Sequence, residues 1–129
     1  MKILTIKSTK RVEAINITSE VHKFVRSSNL KEGICIVYTP HTTAGIIINE
    51  GADPDVMKDL LSSLNSLVPY NKNYRHIEGN SDSHIKASVI GNSRIIIFEN
   101  RELLLGTWEA VYFLEFDGPR TRKVYITAR

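Results

Sequence analysis

Alternating apolar and polar positions predict that most of this chain forms β-strands. Residues 3–7 and 11–18 alternate in this way, which is the period of a strand with one buried face. Residues 34–38 (ICIVY) are apolar on both faces, as expected of a central strand. We expect the first two strands to pair through a turn at residues 8–10. The same reasoning predicts further strands over residues 45–49, 94–99, 102–105, 108–116 and 120–127.

Two helices are predicted between the strands. A short helix begins at Thr18 or Ser19, either of which can cap it, and carries one apolar stripe. The start of a long helix is predicted by Asp53, a capping residue, and by Pro54, whose fixed φ suits the first helical turn. Apolar residues then recur at helical spacing until Pro69 ends the helix.

The elements together predict one α+β domain covering residues 1–129. A chain of 129 residues fits a single domain. We expect a mostly antiparallel β-sandwich with one long and one short helix. Residues 70–83 are polar and rich in turn-forming residues, so they are predicted to form a long loop of the kind that often carries function.

Composition narrows the function mainly by exclusion. The formal net charge of +3 is too small to predict nucleic-acid binding. No apolar run approaches the roughly 20 residues that a membrane-spanning helix needs, and the N-terminus lacks the pattern of a signal peptide. Cys35 is the single cysteine, which fits a reducing compartment. We therefore expect a cytoplasmic protein with neither nucleic acid nor membrane as a partner.

The segment 79–86 (GNSDSHIK) carries the densest set of chemically useful side chains. Asn80, Asp82, His84 and Lys86 stand at every second position. If the segment is extended, an amide, a carboxylate, an imidazole and an ammonium group point to one face. Such a combination predicts a binding or catalytic site.

Histidines elsewhere extend this hypothesis. His41 follows the predicted central strand, where a rigidly held loop suits a ligating or acid–base imidazole, although a turn histidine that caps a carbonyl is an equal alternative. His41, His76 and His84, with Asp82, can supply nitrogen and oxygen ligands to Zn²⁺ or another divalent ion. Their spacing matches no named zinc motif, and the same residues are equally suited to phosphate binding or acid–base catalysis.

Three further residues each have a structural and a functional interpretation. Glu50 ends an isoleucine-rich strand, where a carboxylate can bind Mg²⁺ or act as a general base. Trp108 is either a core residue or a stacking platform for a ligand ring. Arg120 follows a predicted turn and is either a phosphate clamp or a solvated residue of an edge strand.

Three segments in order along the chain resemble the YjbQ-like family. They are TPHTTAGIIINEGADPDV, EGNSDSHIKAS and LLLGTWEAVYFLEFDGPR. The resemblance implies a β-rich sandwich with flanking helices that assembles as a homotrimer. It also implies a polar pocket containing His41, Glu50, His76, Asp82 and His84, with Asn80, Lys86 and Arg120 as neighbours.

The family is associated with thiamine phosphate synthesis, which gives the leading hypothesis. A secondary thiamine-phosphate-synthase-like transferase would join a pyrimidine pyrophosphate to a thiazole phosphate. Lys86, Arg120 and a metal ion at Glu50 or Asp82 would neutralise the pyrophosphate, while His41 or His84 donates a proton and Trp108 stacks on the pyrimidine. The chain has no glycine-rich phosphate loop.

Two alternatives to a transferase remain open. One is a hydrolase with a histidine-bound zinc ion. The other is a trimeric, non-catalytic protein that binds an anionic metabolite.

Overall fold

The computed structural model describes residues 1–129, which form eight strands and three helices. The helices are α1 (Thr18–Ser27), α2 (Pro54–Leu67) and α3 (Ser81–Ile90). The strands are β1 (Lys2–Lys7), β2 (Glu13–Asn16), β3 (Gly33–Tyr38), β4 (Ala44–Glu50), β5 (Ser93–Glu99), β6 (Glu102–Leu103), β7 (Glu109–Glu115) and β8 (Thr121–Ala128). None of the helices is long and apolar enough to cross a membrane.

The strands form two antiparallel sheets, which confirms the predicted α+β class. The larger sheet has the order β1-β8-β3-β5-β6, and the smaller has the order β2-β7-β4. The predicted pairing of the first two strands is wrong, because β1 pairs with β8 and β2 pairs with β7. Alternation identifies a strand and its buried face, but it does not identify the neighbour with which the strand pairs.

The main core lies between the two sheets. Val37 and Ile126 from the larger sheet and Ile46 and Phe113 from the smaller sheet are completely buried in one cluster of 16 residues. Helix α1 adds Val21 and Val25 to this cluster, as its apolar stripe predicts. Each such side chain stabilises the fold by about 1.5–3 kcal/mol when it leaves water, so this core holds the sheets in fixed positions.

Helices α2 and α3 cover the outer face of the smaller sheet. Met57 and Leu64 of α2 and Ala87 of α3 share a second core cluster with Leu114 of β7. The predicted start of α2 is confirmed, since the Asp53 carboxylate accepts a hydrogen bond from the Asp55 N–H at 3.0 Å and Pro54 occupies the first turn. The packing places α3 next to β4, where the candidate site lies.

The extended conformation considered for residues 79–86 is not adopted, because the segment enters α3. Polar residues at every second position do not establish strand periodicity unless apolar residues alternate with them. Asp82 and Lys86 are instead spaced for an i,i+4 ion pair within a helix, and their charged atoms lie 3.0 Å apart. Side chains two positions apart on a helix point in nearly opposite directions, so His84 lies on a different face of α3 from Asp82 and Lys86. The predicted loop accordingly ends where the helix begins, at Ser81.

Candidate functional site: a histidine-lined cleft beside helix α3

A cleft of about 590 Å³ lies between α3 and the loop that joins β3 to β4. It brings together two predicted site residues, His41 and His84, which are far apart in the sequence. None of its lining residues is Lys, Arg, Asp or Glu; they are Tyr38, Pro40, His41, Thr42, Ala44, His84, Ala87, Ser88, Gly91 and Asn92. The cleft therefore offers imidazoles, hydroxyl groups and an amide, and carries no fixed charge.

Gly45 allows the end of α3 to approach β4 closely. A Cβ atom at this position would lie 2.7 Å from Cγ2 of Ile90 and 2.9 Å from the carbonyl oxygen of Gly91. The Ile46 N–H donates a hydrogen bond to that same carbonyl at 3.1 Å. The glycine thus fixes how far His84 lies from the β3–β4 loop.

The start of the β3–β4 loop is held by hydrogen bonds to the residue before β5 and to β8. The Thr39 N–H donates to the Asn92 carbonyl at 2.9 Å, and the Thr39 hydroxyl donates to the Lys123 carbonyl at 3.0 Å. Thr39 is completely buried, so these bonds are shielded from water. This anchoring agrees with the prediction of a rigidly held loop around His41.

His41 is fixed in one tautomer by a backbone hydrogen bond. Its Nε2 accepts from the Lys123 N–H at 2.9 Å, so the ring proton is assigned to Nδ1. Burial lowers the pKa of His41, and the positive charges of Arg122 and Lys123 lower it further against the opposing effect of Glu115. A neutral His41 can therefore offer its Nδ1–H as a hydrogen-bond donor, while its basic nitrogen is already occupied.

A buried ion pair supports the His41 loop from behind. Glu115 of β7 and Arg122 of β8 form a salt bridge in which both side chains are almost inaccessible to solvent. Arg122 also donates to the Thr43 hydroxyl at 2.8 Å, and Ser8 donates to Glu115 at 2.6 Å. Burial acts to raise the pKa of Glu115, but the hydrogen bonds from Arg122, Ser8 and the Asp117 N–H hold that pKa below its usual value.

Sequence reasoning missed this pair as a unit. The available signal was a glutamate inside the apolar run VYFLEF, where a charge needs a buried partner.

The imidazole ring of His84 makes no hydrogen bond within the chain. Its ring packs edge-on against His76, with the ring centroids 5.5 Å apart and the planes at 89°. It lines the cleft on one side and a second, smaller cavity on the other. Both of its ring nitrogens are thus unengaged by protein groups, which suits proton transfer or ligand binding.

Asp82 and Lys86 lie in a buried polar network on another face of α3. Arg11 donates two hydrogen bonds to the Asp82 carboxylate, at 2.9 and 3.1 Å. The Lys86 ammonium donates to Asp82 at 3.0 Å and to Asn65 at 2.7 Å. Burial acts to raise the pKa of Asp82, but Arg11 and Lys86 outweigh it and lower that pKa. These side chains bind one another and join the segment before β2 to α2 and α3. Neither Asp82 nor Lys86 lines the cleft.

The remaining predicted site residues lie in two other places. Glu50 ends β4, six residues beyond Ala44 in the cleft, which corresponds to about 20 Å along an extended strand. Trp108 lies beside it, since its carbonyl accepts from the Gly51 N–H, and 65% of Trp108 is exposed. Arg120 and Asn80 meet through the Asp117 carboxylate, at 3.0 and 2.9 Å. The single chain therefore does not assemble all the predicted residues at one point.

The predicted metal ligands do not form a complete set within one chain. No three or more His, Cys, Asp or Glu side chains are placed where they can hold a metal ion. A zinc site needs three or four protein ligands, whereas His76 and His84 form only a pair. Asp82 is engaged by Arg11 and Lys86, and Glu50 accepts from the Ala52 N–H at 2.9 Å. These residues thus do not fit a metal site within the chain, and we derive no metal-assisted step.

The fold and the cleft define a small α+β protein with two antiparallel sheets and a histidine-lined cleft. The chain belongs to the family described as UPF0047 protein YjbQ-like, whose model matches residues 2–129. YugU of Bacillus subtilis is 51% identical over 127 residues, covering 98% of this chain and 96% of its own. A UPF0047 protein of Methanocaldococcus jannaschii is 50% identical over 121 residues, covering 94% and 88%. The family resemblance seen in the sequence is thereby confirmed.

Solved structures of relatives have the same fold. An uncharacterised conserved protein of the family from Clostridium acetobutylicum superimposes with a TM-score of 0.98 at 48% identity, covering 100% of both chains. A protein of unknown function from Sulfolobus solfataricus gives a TM-score of 0.95 at 28% identity, covering 98% of this chain and 94% of its own. The two-sheet architecture therefore persists as the sequences diverge.

Proposed function

We propose that the histidine-lined cleft binds a small phosphorylated metabolite and that the protein is a secondary thiamine-phosphate-synthase-like transferase. The single observation that carries the proposal is that His41 and His84 line one cleft, with complementary hydrogen-bonding states. His41 offers a fixed donor, whereas His84 has both nitrogens unengaged. The particular reaction comes from the family resemblance.

The reaction assigns a separate task to each histidine. The C–O bond between the pyrimidine methylene carbon and pyrophosphate breaks, and pyrophosphate leaves with the electron pair. The thiazole nitrogen then donates its lone pair to that carbon and forms the new C–N bond. His84 would protonate the departing pyrophosphate oxygen, while Nδ1–H of His41 orients the ligand. Tyr38, which lines the cleft, is better placed than Trp108 to stack against the pyrimidine.

A non-catalytic anion-binding protein is the second candidate. It is favoured by the absence of Lys, Arg, Asp and Glu from the cleft lining, because a pyrophosphate leaving group needs cations as its charge develops. The zinc-dependent hydrolase is a third candidate, and it requires at least one further ligand from outside this chain to join His76 and His84.

The test measures thiamine phosphate formation from the pyrimidine pyrophosphate and the thiazole phosphate, with added Mg²⁺. We expect His84→Ala to lower the rate by about 100-fold or more, as removal of a general acid does. His22→Ala on α1 is the matched control and should keep the wild-type rate. Binding of the donor with no product would favour the non-catalytic candidate. If the donor does not bind and no product forms, the proposal is overturned.

We also propose that the protein assembles as a homotrimer, as the resemblance implies. Support comes from the outer face of the larger sheet, which no helix covers. It exposes Ile3, Ile95, Ile97 and Leu104, between 51% and 63% of each residue. Exposed apolar side chains grouped on one face are typical of a surface that another protein chain covers. Sedimentation analysis should give three chains for the wild type and one for Ile97→Glu; a monomeric wild type would exclude the assembly.

A cytoplasmic location is the remaining part of the proposal. Cys35 is a free cysteine, and burial raises the pKa of its thiol to about 11. A lone thiol that stays protonated has no disulfide to form and suits a reducing compartment. Fractionation of cells should recover the protein with cytoplasmic markers; recovery with membranes or in the medium would contradict this expectation.

A further inference from the structure

A second cavity of about 370 Å³ lies on the other side of His84 from the histidine-lined cleft. His84 is the one residue that lines both spaces. The other lining residues come from the loop before α3 and from its first turn; they are Tyr74, Arg75, His76, Ser81 and Ile85. A ligand in the cleft therefore meets this cavity at His84.

Arg75 gives the second cavity the positive charge that the cleft lacks. Six of the eight arginines in the chain donate hydrogen bonds to other protein groups; they are Arg11, Arg26, Arg94, Arg120, Arg122 and Arg129. The side chains of Arg75 and Arg101 make no such bond, and of these two only Arg75 lines the second cavity. A free guanidinium group presents a planar fork of donors that matches the oxygens of a phosphate group.

The residues that line the second cavity also include side chains that can donate hydrogen bonds. The Ser81 hydroxyl makes no hydrogen bond within the chain, and the rings of His76 and His84 contact each other across the cavity wall. Asn80, which precedes α3, provides no side-chain cap, so the partial positive charge of the helix start adds to the preference for an anion. The Glu78 carboxylate, 3.6 Å from Nε2 of His76, opposes an anion at this position.

We propose that this cavity is the anion subsite for the phosphate or pyrophosphate end of a ligand whose organic part lies in the histidine-lined cleft. Arg75 clamps the phosphate oxygens, Ser81 and His76 add hydrogen bonds, and His84 stands at the junction of the two parts. The inference rests on the proposed function, because it divides the same phosphorylated ligand between two spaces. It explains how a cleft without fixed charge can belong to a site for a phosphorylated molecule.

Inorganic pyrophosphate is the probe, and calorimetric titration measures its affinity. Loss of a charged hydrogen-bonding partner should weaken binding by about tenfold or more in Arg75→Gln. Arg101→Gln is the matched control, since this arginine is also exposed and unbonded but lines neither the cleft nor the second cavity, and it should bind like the wild type. Glu78→Gln should strengthen binding by about two- to fivefold, because it removes an exposed opposing charge. Equal affinity in all four proteins, or no binding at millimolar pyrophosphate, would overturn the subsite.

A second probe separates the failure of this inference from the failure of the proposed function. The pyrimidine alcohol, which lacks phosphate, should bind in the cleft with the same affinity in the wild type and in Arg75→Gln. Pyrophosphate binding that depends on Arg75, with no binding of either pyrimidine compound, would uphold the subsite and reject the transferase. Binding of the pyrimidine pyrophosphate that is unaffected by Arg75→Gln would reject the subsite and leave the transferase standing.

Discussion

Two faces of helix α3 carry charged or titratable side chains in opposite circumstances. On one face, Asp82 and Lys86 are buried and bonded to each other, to Arg11 and to Asn65. On another face, His84 is partly exposed, unbonded and in contact with two cavities. The difference teaches that proximity in sequence to a histidine does not make a carboxylate catalytic. A side chain whose hydrogen-bonding groups are all paired with protein groups holds the helix in position. A side chain whose hydrogen-bonding groups are unpaired can bind a ligand.

Among the variants that test this comparison, Asp82→Ala is expected to lower the free energy of unfolding the most. The substitution leaves Lys86 buried without its carboxylate, and removal of one member of a buried ion pair costs about 3–5 kcal/mol of stability. Denaturant unfolding measures the change in the free energy of unfolding. The double variant Asp82→Ala with Lys86→Met should recover part of the loss, since no unpaired ammonium remains. A loss below about 1 kcal/mol in the single variant would show that the network is not structural.

An intermediate effect is expected from lowering the pH. Because Glu115 and Asp82 have pKa values below their unfolded values, their contributions are present above the ordinary carboxyl pKa and are lost as pH falls through the depressed values. Each unit of depression is worth about 1.4 kcal/mol. Unfolding measured from pH 7 to pH 3 should show stability falling in the acidic part of this range. Glu115→Gln, although less stable at pH 7, should show a shallower fall; an unchanged slope would argue against this assignment.

A smaller effect on stability is expected from His84→Ala. The ring makes no hydrogen bond and lines two cavities, so the free energy of unfolding should change by no more than about 0.5 kcal/mol. The same variant is expected to lose activity, and the contrast with Asp82→Ala would then be complete. A loss comparable to that of Asp82→Ala would instead place His84 among the structural residues of α3.

The smallest effect concerns the proton equilibrium of His41. Burial and the charges of Arg122 and Lys123 lower its pKa, so its NMR titration midpoint should lie below the usual value near 6.5. Lys123→Gln removes one of those charges while keeping the backbone N–H that bonds to Nε2, so the midpoint should rise. A midpoint that stays in place would mean that Lys123 does not contribute to the shift and that burial and Arg122 account for it.

The sequence predicted those parts of the molecule that depend on local signals. Asp53 and Pro54 define the start of α2 through bonds within one turn, and residues 34–38 form a buried strand because of their own composition. Strand partners were not predictable, because β1 pairs with β8 across more than 100 residues of chain. The helical state of residues 81–90 was missed because its stabilising contacts include Arg11 and Asn65, both distant in the sequence.

Only part of the candidate site was predicted, because contacts between distant residues are not visible in the sequence. His41 and His84 were named from their residue type and position, and the fold brings them to one cleft. The identity of the residues next to these histidines depends on tertiary packing, which the sequence pattern does not reveal. Glu50 and Trp108 lie near the far end of β4, while Arg75, in a loop with no regular pattern, was not singled out.

The placement of the buried ion pair and of His84 on different faces of α3 has a consequence for how this family can diversify. Asp82 and Lys86 are bonded to Arg11 and Asn65 away from the cleft, whereas the side chains of Thr42 and Asn92 in the cleft wall make no hydrogen bond within the chain. Replacements there change the shape and polarity that a ligand meets while the scaffold stays intact. A few substitutions in the cleft wall can thus change which small molecule fits the cleft.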